Sequence, residues 1–400
     1  MSLLAIAAQT IFTPIEVIDD GLLIVEDQVI QAVGPRNGIS VPKGAREIDL
    51  GNRILSPGFV EVHIHGGAGH DVMEATPEAI ENVARLAARH GTTSFVPTTV
   101  TAPVPVLLKS LEGLGRIIRS WSTLTHSGTG PLAEPLGVHL EGPFISAVRR
   151  GVHAAEHLQK PSVALFRRFA EAAAGTLRVL TLAPELEGAL ELEVAAIQSG
   201  VKVALGHSDA TFEEAENAIA AGAAHAVHTF NAMRPFAHRE SGILGAVLTD
   251  ARVQAEVIAD GVHVSAPALR LLLRAKGVAS IVLATDAVGA TGMGPGRYRL
   301  GEMDISVEAD AQSGSLICRN VEGKLAGGVL TQDRAIRNMV SFTGVTLCDA
   351  VRMASWNPAR LLGIEDRKGC LRPGADADVV LLHPDGTVVG TMARGVSNFL

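Results

Sequence analysis

Eight short apolar runs, separated by stretches with the composition and period of helices, dominate the middle of this 400-residue chain. The runs are 58–64, 93–97, 136–140, 179–183, 201–205, 224–227, 254–259 and 281–284. The clearest helical stretches between them are 77–89, 163–174, 213–221 and 266–275. Continuous apolar strands alternating with helices indicate a parallel sheet covered on both faces. Eight units predict an α/β fold with a (β/α)8 barrel, and an open doubly wound sheet is the alternative.

Each of these runs is followed closely by side chains that can hold a proton or a metal. These side chains are His63, His65, Thr98, Glu141, Glu185, His207, His228, Asp260 and Asp286. In a barrel, the carboxyl ends of all strands surround one mouth, where active sites form. Unrelated core strands would show no such bias, so the pattern favours the barrel.

The two ends of the chain differ from its middle. Near the start, the apolar runs 22–25 and 29–33 flank a polar turn, and near the end 378–382 and 387–391 do the same. Both patterns are typical of β-hairpins. We therefore predict a small β-sandwich domain made of residues 1–55 plus 346–400, and a barrel domain made of residues 56–345.

Composition excludes several classes of protein. Hydrophobic residues make up 47% and charged residues 19%, which excludes low-hydropathy disorder. A net charge of −8 argues against nucleic acid or an anionic membrane as the main partner. The sequence contains no run of 18 apolar residues, so we predict no membrane span. The three cysteines are far apart, so we expect no disulfide framework or thiolate zinc site, and a reducing, cytoplasmic location.

The sequence His63-Ile64-His65 is the first candidate metal-binding motif. Residues i and i+2 of a strand point to the same side, so both imidazoles can reach one cation. Chance alone gives about 0.5 such pairs in a chain with this histidine content, so the motif is weak by itself. The alternative is a pair of surface or hydrogen-bonded histidines.

Glu141, His207 and His228 each end an apolar run. A carboxylate in such a place is costly unless it is paired or bound to metal, and a lone histidine there is more often a satisfied core residue. Together with His63 and His65, however, they give five nitrogen and oxygen ligands at one mouth. This set suits Zn²⁺ or Fe²⁺, which accept imidazole and carboxylate.

Asp286 ends the eighth run and is the candidate general base and acid. A carboxylate beside a metal can take the proton of a water molecule and later deliver it to a leaving group. The alternative role is a helix N-cap. The fourth run ends at Glu185 without a lysine that could be carbamylated, so Glu141 would have to bridge two metals if there are two. Arg239 could bind a phosphate, or it could be a solvated loop residue.

Several sequence blocks resemble a known family. The block 57–66, which contains His63 and His65, resembles the opening motif of the amidohydrolase superfamily. Other blocks are similar to those of its members that deacetylate N-acetylglucosamine 6-phosphate. They are 139–144 (HLEGPF), 206–211 (GHSDAT), 228–233 (HTFNAM), 260–263 (DGVH), 325–327 (LAG), 357–359 (NPA) and 374–378 (GADAD).

This resemblance implies a (β/α)8 barrel with a small β-sandwich and release of acetate from N-acetyl-D-glucosamine 6-phosphate. Glu141, His207 and His228 would hold the main metal, and the His63/His65 pair makes a second metal plausible. Asp286 and His153 would be catalytic, His153 by polarising the acetyl carbonyl. The implied substrate-binding residues are Val152, His153, Asn231, Ala232, Arg239, His263, Leu325, Ala326 and Gly327. Some of them would be supplied by a partner subunit in a homodimer.

Two positions depart from the family pattern. Ser241 stands where proline is usual, and Gly328 stands where serine commonly follows Leu-Ala-Gly. Both concern sugar preference and loop rigidity rather than hydrolysis. The alternatives are an amidohydrolase acting on N-acetylgalactosamine 6-phosphate or an N-acyl amino acid, and a non-catalytic barrel that binds a sugar phosphate.

Overall fold

A computed structural model describes residues 3–124, 126, 130–310 and 315–400. Eight parallel strands form its central sheet. They are β1 (Phe59–Ile64), β2 (Thr92–Thr99), β3 (Val138–Glu141), β4 (Leu177–Leu182), β5 (Lys202–Leu205), β6 (His225–Ala226), β7 (Gln254–Ile258) and β8 (Ile281–Ala284). Each pairs with the next along the chain, and β8 meets β1 through a bridge between Ile64 and Ala287. The nearly closed sheet confirms the predicted barrel and excludes the open doubly wound alternative.

A helix follows each barrel strand. The helices are α1 (Pro77–Arg89), α2 (Val104–Ser120), α3 (Val163–Ala172), α4 (Ala189–Gln198), α5 (Phe212–Ala221), α6 (Gly242–Thr249), α7 (Ala266–Lys276) and α8 (Gln332–Thr343). In α1, the Thr76 hydroxyl accepts the Ala79 N–H, and Pro77 occupies the first turn, where no donor is needed. Its buried face packs Ile80 and Val83 onto the sheet, as the helical spacing of its apolar residues predicts.

Both chain ends contribute to a separate sheet. Its strands are Leu3–Phe12, Val17–Glu26, Val29–Pro35, Arg46–Asp49, Ile54–Pro57, Val379–Leu382, Val388–Ala393 and Val396–Ser397. The two predicted hairpins are present as antiparallel pairs, so the strand domain built from both termini is confirmed.

Two further helices, α9 (Leu347–Ala354) and α10 (Trp356–Leu362), contact β1 and β8. Leu361 of α10 packs against Val62, Val282 and Ala284. The residues just after 345 therefore pack on the barrel, although the sequence assigned them to the terminal domain. The predicted domain boundaries at 55/56 and 345/346 stay a prediction.

An antiparallel sheet inserted between β8 and α8 stands beside the barrel mouth. It comprises Gly296–Leu300, Met303–Ala309 and Leu316–Asn320. Leu300 and Ile305 pack against Val100, which follows β2, and Val288, which follows β8. A second, two-stranded pairing joins Gly66–Gly67 to His70–Asp71. Among the described residues, no helix is long and apolar enough to cross a membrane.

A buried lysine joins the chain's last segment to the barrel. Lys368 is fully buried, and its Nζ lies 2.8 Å from Asp378, 2.9 Å from Asp376 and 2.7 Å from Glu134, which precedes β3. Burial would raise the pKa of Glu134, but Lys368 and Arg367 outweigh burial and lower it to about 2. The ionised form of Glu134 is therefore favoured more strongly in the folded chain than in the unfolded chain.

We predict that Lys368→Met lowers the free energy of unfolding by about 3–5 kcal/mol, because it leaves the buried Asp378 without its cation and leaves Arg367 alone to pair with Glu134 and Asp376. Since the folded pKa of Glu134 lies below its ordinary 4.5, its contribution is present above pH 4.5 and is lost as pH falls towards about 2. The variant should lose part of this pH dependence. Urea unfolding at several pH values measures both effects, with the exposed Lys43→Met as control. A change equal to that of the control would contradict the prediction.

Candidate active site

The first strand brings two histidines, His63 and His65, to the mouth. Between Glu61 and Ile64, β1 advances three residues while β2 advances two. His63 lies within this irregular segment, and His65 directly follows the strand. His63 Nε2 is 3.3 Å from Glu141 Oε1, and His65 Nε2 is 3.1 Å from Asp286 Oδ1. The predicted convergence of these two side chains is what the structure shows.

Glu141, His207 and His228 form one group of potential metal ligands. Glu141 Oε1 is 3.2 Å from His207 Nε2 and 3.0 Å from His228 Nε2, and the two nitrogens are 3.0 Å apart. All three side chains are buried. Their ligand atoms lie within 4.8 Å of one another, close enough to share one cation.

His63, His65 and Asp286 form a second such group directly beside the first. Glu141 lies between the two groups, because its Oε1 is 3.3 Å from His63 Nε2 and its Oε2 is 3.3 Å from His65 Nε2. A carboxylate in this place can serve both groups. The arrangement therefore suits either one metal or a pair bridged by Glu141.

Backbone carbonyls set the tautomers of two of the histidines. His65 Nδ1 lies 3.0 Å from the Thr98 carbonyl, and His207 Nδ1 lies 3.1 Å from the Arg149 carbonyl. A carbonyl can only accept, so each Nδ1 carries the proton and donates it. In the neutral form of each ring, the Nε2 lone pair then faces the centre, as metal ligation requires.

The donor set fits a divalent metal. His63 Nε2 is buried and has no hydrogen-bond partner within the described part of the chain. The Nε2 atoms of His207 and His228 lie 3.0 Å apart and face Glu141, so both nitrogens can reach one cation. Four imidazoles and two carboxylates are a typical ligand set for Zn²⁺ or Fe²⁺.

Charges at the site favour metal binding at the first group. Burial would raise the pKa of Glu141, but the charge of His63 and the close imidazoles of His153, His207 and His228 hold it well below its usual range. Burial lowers the pKa of His207 to about 4, so its ring is neutral at pH 7. A neutral imidazole and an ionised carboxylate are the forms that bind metal.

The second group holds protons more tightly. Burial lowers the pKa of His65, but hydrogen bonds to Asp286 and Glu141 outweigh burial and raise it to about 10. The same contact with His65 lowers the pKa of Asp286, against the effect of burial. A cation at this group would have to displace the proton of His65.

The backbone is strained where the site residues leave their strands. His207, His228 and Asp286 have φ of 47°, 27° and 50°, in the left-handed region that non-glycine residues avoid. Such conformations cost about 1–3 kcal/mol each and persist where the surrounding structure enforces them. Here they end three different strands at the same mouth.

His153 reaches the same centre from the loop after β3. Its Nε2 lies 3.4 Å from Glu141 Oε2, and its Nδ1 accepts a hydrogen bond of 3.2 Å from the Thr101 N–H. Since the backbone N–H can only donate, Nδ1 is unprotonated and Nε2 carries the proton. His153 therefore presents an N–H donor to the centre.

A cavity of about 200 Å³ opens above these groups. The predicted residues that line it are His65, Glu141, Val152, His153, His207, His228, Asn231, Ala232, His263, Asp286, Leu325 and Gly327. His63 lies fully buried beneath them. Ala326 does not line the cavity, because it packs in the core beneath the inserted sheet. Arg239 lies exposed in the 237–240 turn and also does not line it.

Three other strand-end residues position loops instead of facing the centre. Glu185 accepts the Ser208 hydroxyl at 2.7 Å and the Asp209 N–H at 2.6 Å. Asp260 lies 2.6 Å from His263 Nδ1, and the Thr98 hydroxyl accepts the Ile64 N–H at 3.1 Å. The sequence predicted that these three residues lie at the mouth. A position at a strand end did not, however, distinguish residues that position loops from candidate metal ligands.

Two residues of the site were not singled out from the sequence. Thr101 fixes the tautomer of His153, and nothing in its sequence context distinguishes it. Glu256 contacts His63 from the middle of β7 at 2.8 Å. A charged residue inside an otherwise apolar barrel strand was the signal that could have found it.

Gly328 stands where serine is common in the family, and steric crowding explains the absence of a side chain there. A Cβ there would lie 2.5 Å from the Thr285 carbonyl oxygen, because Gly328 N–H donates to the Asp286 carbonyl and holds the chain against the end of β8. No side chain fits in this arrangement.

Comparisons with known proteins agree with this geometry. A family model described as "Amidohydrolase family" matches residues 54–397. The chain is 40% identical to an N-acetylgalactosamine-6-phosphate deacetylase of Escherichia coli O157:H7, covering 91% of each chain. It is 35% identical to an N-acetylglucosamine-6-phosphate deacetylase of Bacillus subtilis (strain 168), covering 98% of this chain and 96% of that protein.

A solved structure also resembles the chain throughout. It is an N-acetyl-D-glucosamine-6-phosphate deacetylase mutant of Mycobacterium smegmatis in complex with N-acetyl-D-glucosamine-6-phosphate. It superposes with a TM-score of 0.90 at 35% identity and covers 99% of both chains.

Proposed function

The chain belongs to the amidohydrolase family, and from this premise we propose that it hydrolyses the acetamide of N-acetyl-D-glucosamine 6-phosphate to D-glucosamine 6-phosphate and acetate. The observation that carries the proposal is the meeting of Glu141, His207 and His228 with Asp286 and His153 in one cavity. The relatives and the solved structure named above support the choice of an acetylated amino-sugar phosphate.

Amide hydrolysis sets two chemical problems, a poor electrophile and a poor leaving group. A divalent metal held by Glu141, His207 and His228 would polarise the carbonyl and lower the pKa of water to about 7. His153 Nε2–H donates to the carbonyl oxygen as negative charge develops there. Asp286 accepts a proton from the attacking water and then protonates the departing amine.

The substrate's sugar phosphate would contact residues around the cavity. Asn231, Ala232 and His263 line it, and the 325–327 segment contributes Leu325 and Gly327. Arg239 is exposed and outside its own cavity, so we propose that it reaches the phosphate bound by a partner subunit in a homodimer. The proposal includes Zn²⁺ or Fe²⁺, one or two per subunit, and a cytoplasmic location.

The direct test compares rates of acetate release. We expect high kcat/KM on N-acetylglucosamine 6-phosphate and at least about tenfold lower values on N-acetylgalactosamine 6-phosphate and N-acetyl amino acids. A higher rate on the galactose epimer would favour the activity named for the Escherichia coli relative. Binding of both phosphosugars without acetate release would support a non-catalytic barrel and contradict the proposal.

A mixing experiment tests whether Arg239 acts across a dimer. Arg239→Ala and Asp286→Asn should each lose at least about 100-fold in kcat/KM. In a randomly exchanged mixture, half of the dimers are hybrids, and each hybrid has one site with both native residues. Activity should therefore recover to about a quarter of the native value.

The control for this experiment mixes each variant with itself under the same exchange conditions. If Arg239 serves its own subunit, every site in the mixture carries one defect. An unchanged low rate in a mixture shown to contain hybrids would then contradict a contribution from the partner.

A further inference from the structure

Glu256 is a fully buried carboxylate in the middle of β7, below the cavity. Its Oε1 lies 2.8 Å from His63 Nδ1, and the same oxygen accepts the backbone N–H of His228 at 3.1 Å. Its other oxygen, Oε2, lies 3.0 Å from His225 Nε2. A carboxylate this deep is retained only where such partners compensate the loss of water.

We infer that Glu256 is a positioning residue for both candidate metal-binding groups. Its Oε1 orients the side chain of His63, which belongs to one group. The same oxygen holds the backbone of His228, which belongs to the other group. This inference rests on the proposed function, because it concerns how the ligands of that site are held.

The hydrogen bond to His63 determines which nitrogen faces the mouth. When Nδ1–H donates to Glu256, the Nε2 lone pair is left towards Glu141 and Asp286, which lie 3.3 and 3.6 Å away. His63 has no backbone carbonyl for this purpose among its described contacts, in contrast to His65 and His207. Glu256 therefore fills the role that carbonyls fill for those two rings.

The bond to His228 acts on the chain itself. The φ of His228 is 27°, an unfavourable conformation at the point where the chain leaves β6. The N–H of this residue donates to Glu256, and the next N–H, that of Thr229, donates to the Glu256 carbonyl at 2.8 Å. These two bonds hold the turn that places His228 Nε2 3.0 Å from Glu141.

Metal affinity of the metal-free protein, measured by competition with a chelator using Zn²⁺ as the probe, tests the inference. Glu256→Leu removes both hydrogen bonds, and we expect a 10- to 100-fold loss of affinity, about the size seen for partners of metal ligands. Glu256→Gln keeps an acceptor oxygen and should bind Zn²⁺ at least about threefold more tightly than the leucine variant.

Glu193→Leu is the matched control. Glu193, which lies on α4, is also a buried carboxylate of the barrel. It accepts the N–H of Ala223 and contacts none of the candidate ligands. A leucine variant of Glu256 that loses no more affinity than this control, or a glutamine variant as weak as the leucine variant, overturns the inference. If Glu256→Leu does not fold, Glu256→Asp replaces it with the same expectation, because its carboxylate is withdrawn by one methylene.

The same titration separates this inference from the proposed function. If the native protein binds no Zn²⁺, the metal-dependent function fails. If the native protein binds Zn²⁺ and Glu256→Leu binds it equally well, only the role of Glu256 fails.

Discussion

The buried carboxylate of Glu141 is the group on which the rest of the site depends. Five imidazoles approach its two oxygens through Nε2, those of His63 and His65 at 3.3 Å, His153 at 3.4 Å, His207 at 3.2 Å and His228 at 3.0 Å. An ionised carboxylate with so little exposure is costly unless it is paired or bound to metal, and these rings are its neighbours. The barrel supplies them because every strand ends at the same mouth. Glu141 therefore contacts both groups of candidate metal ligands.

The opposite end of the barrel provides the rigidity that this concentration of polar groups requires. Leu361 packs between β1 and β8 below the site, and Lys368 joins the chain's last segment to Glu134 ahead of β3. A polar layer lies between the apolar contacts of Leu361 and the cavity. In it, His139 Nε2 lies 2.7 Å from the Thr181 hydroxyl, and Glu256 contacts His63 and His225. The candidate ligands, which have strained backbone conformations, therefore contact partners that leave them little freedom to move.

The sequence predicted the parts of this structure that follow from periodicity and from strand direction. All eight apolar runs form barrel strands, and a parallel barrel places the residues at their carboxyl ends around one mouth. Glu141, His207, His228 and Asp286 were found in this way.

What sequence reasoning missed depends on contacts between distant segments. Thr101 and Glu256 act through hydrogen bonds to residues distant in the sequence, and local spacing does not reveal these partners. Ala326 was chosen by resemblance, and Arg239 by resemblance and because a guanidinium can bind a phosphate. The structure places Ala326 in the core and Arg239 outside its own cavity. Glu185 shows the converse limit, because its strand-end position matched that of the ligands while its hydrogen bonds serve a neighbouring loop.

The most direct test of the account is a diffraction experiment on crystals of the active protein, with data on both sides of the absorption edge of the metal it contains. The account predicts an anomalous peak about 2.0–2.2 Å from a Glu141 oxygen and from the Nε2 atoms of His207 and His228. A metal bound only elsewhere, or fully active protein with almost no metal in it, would contradict the claim that these side chains form a metal centre.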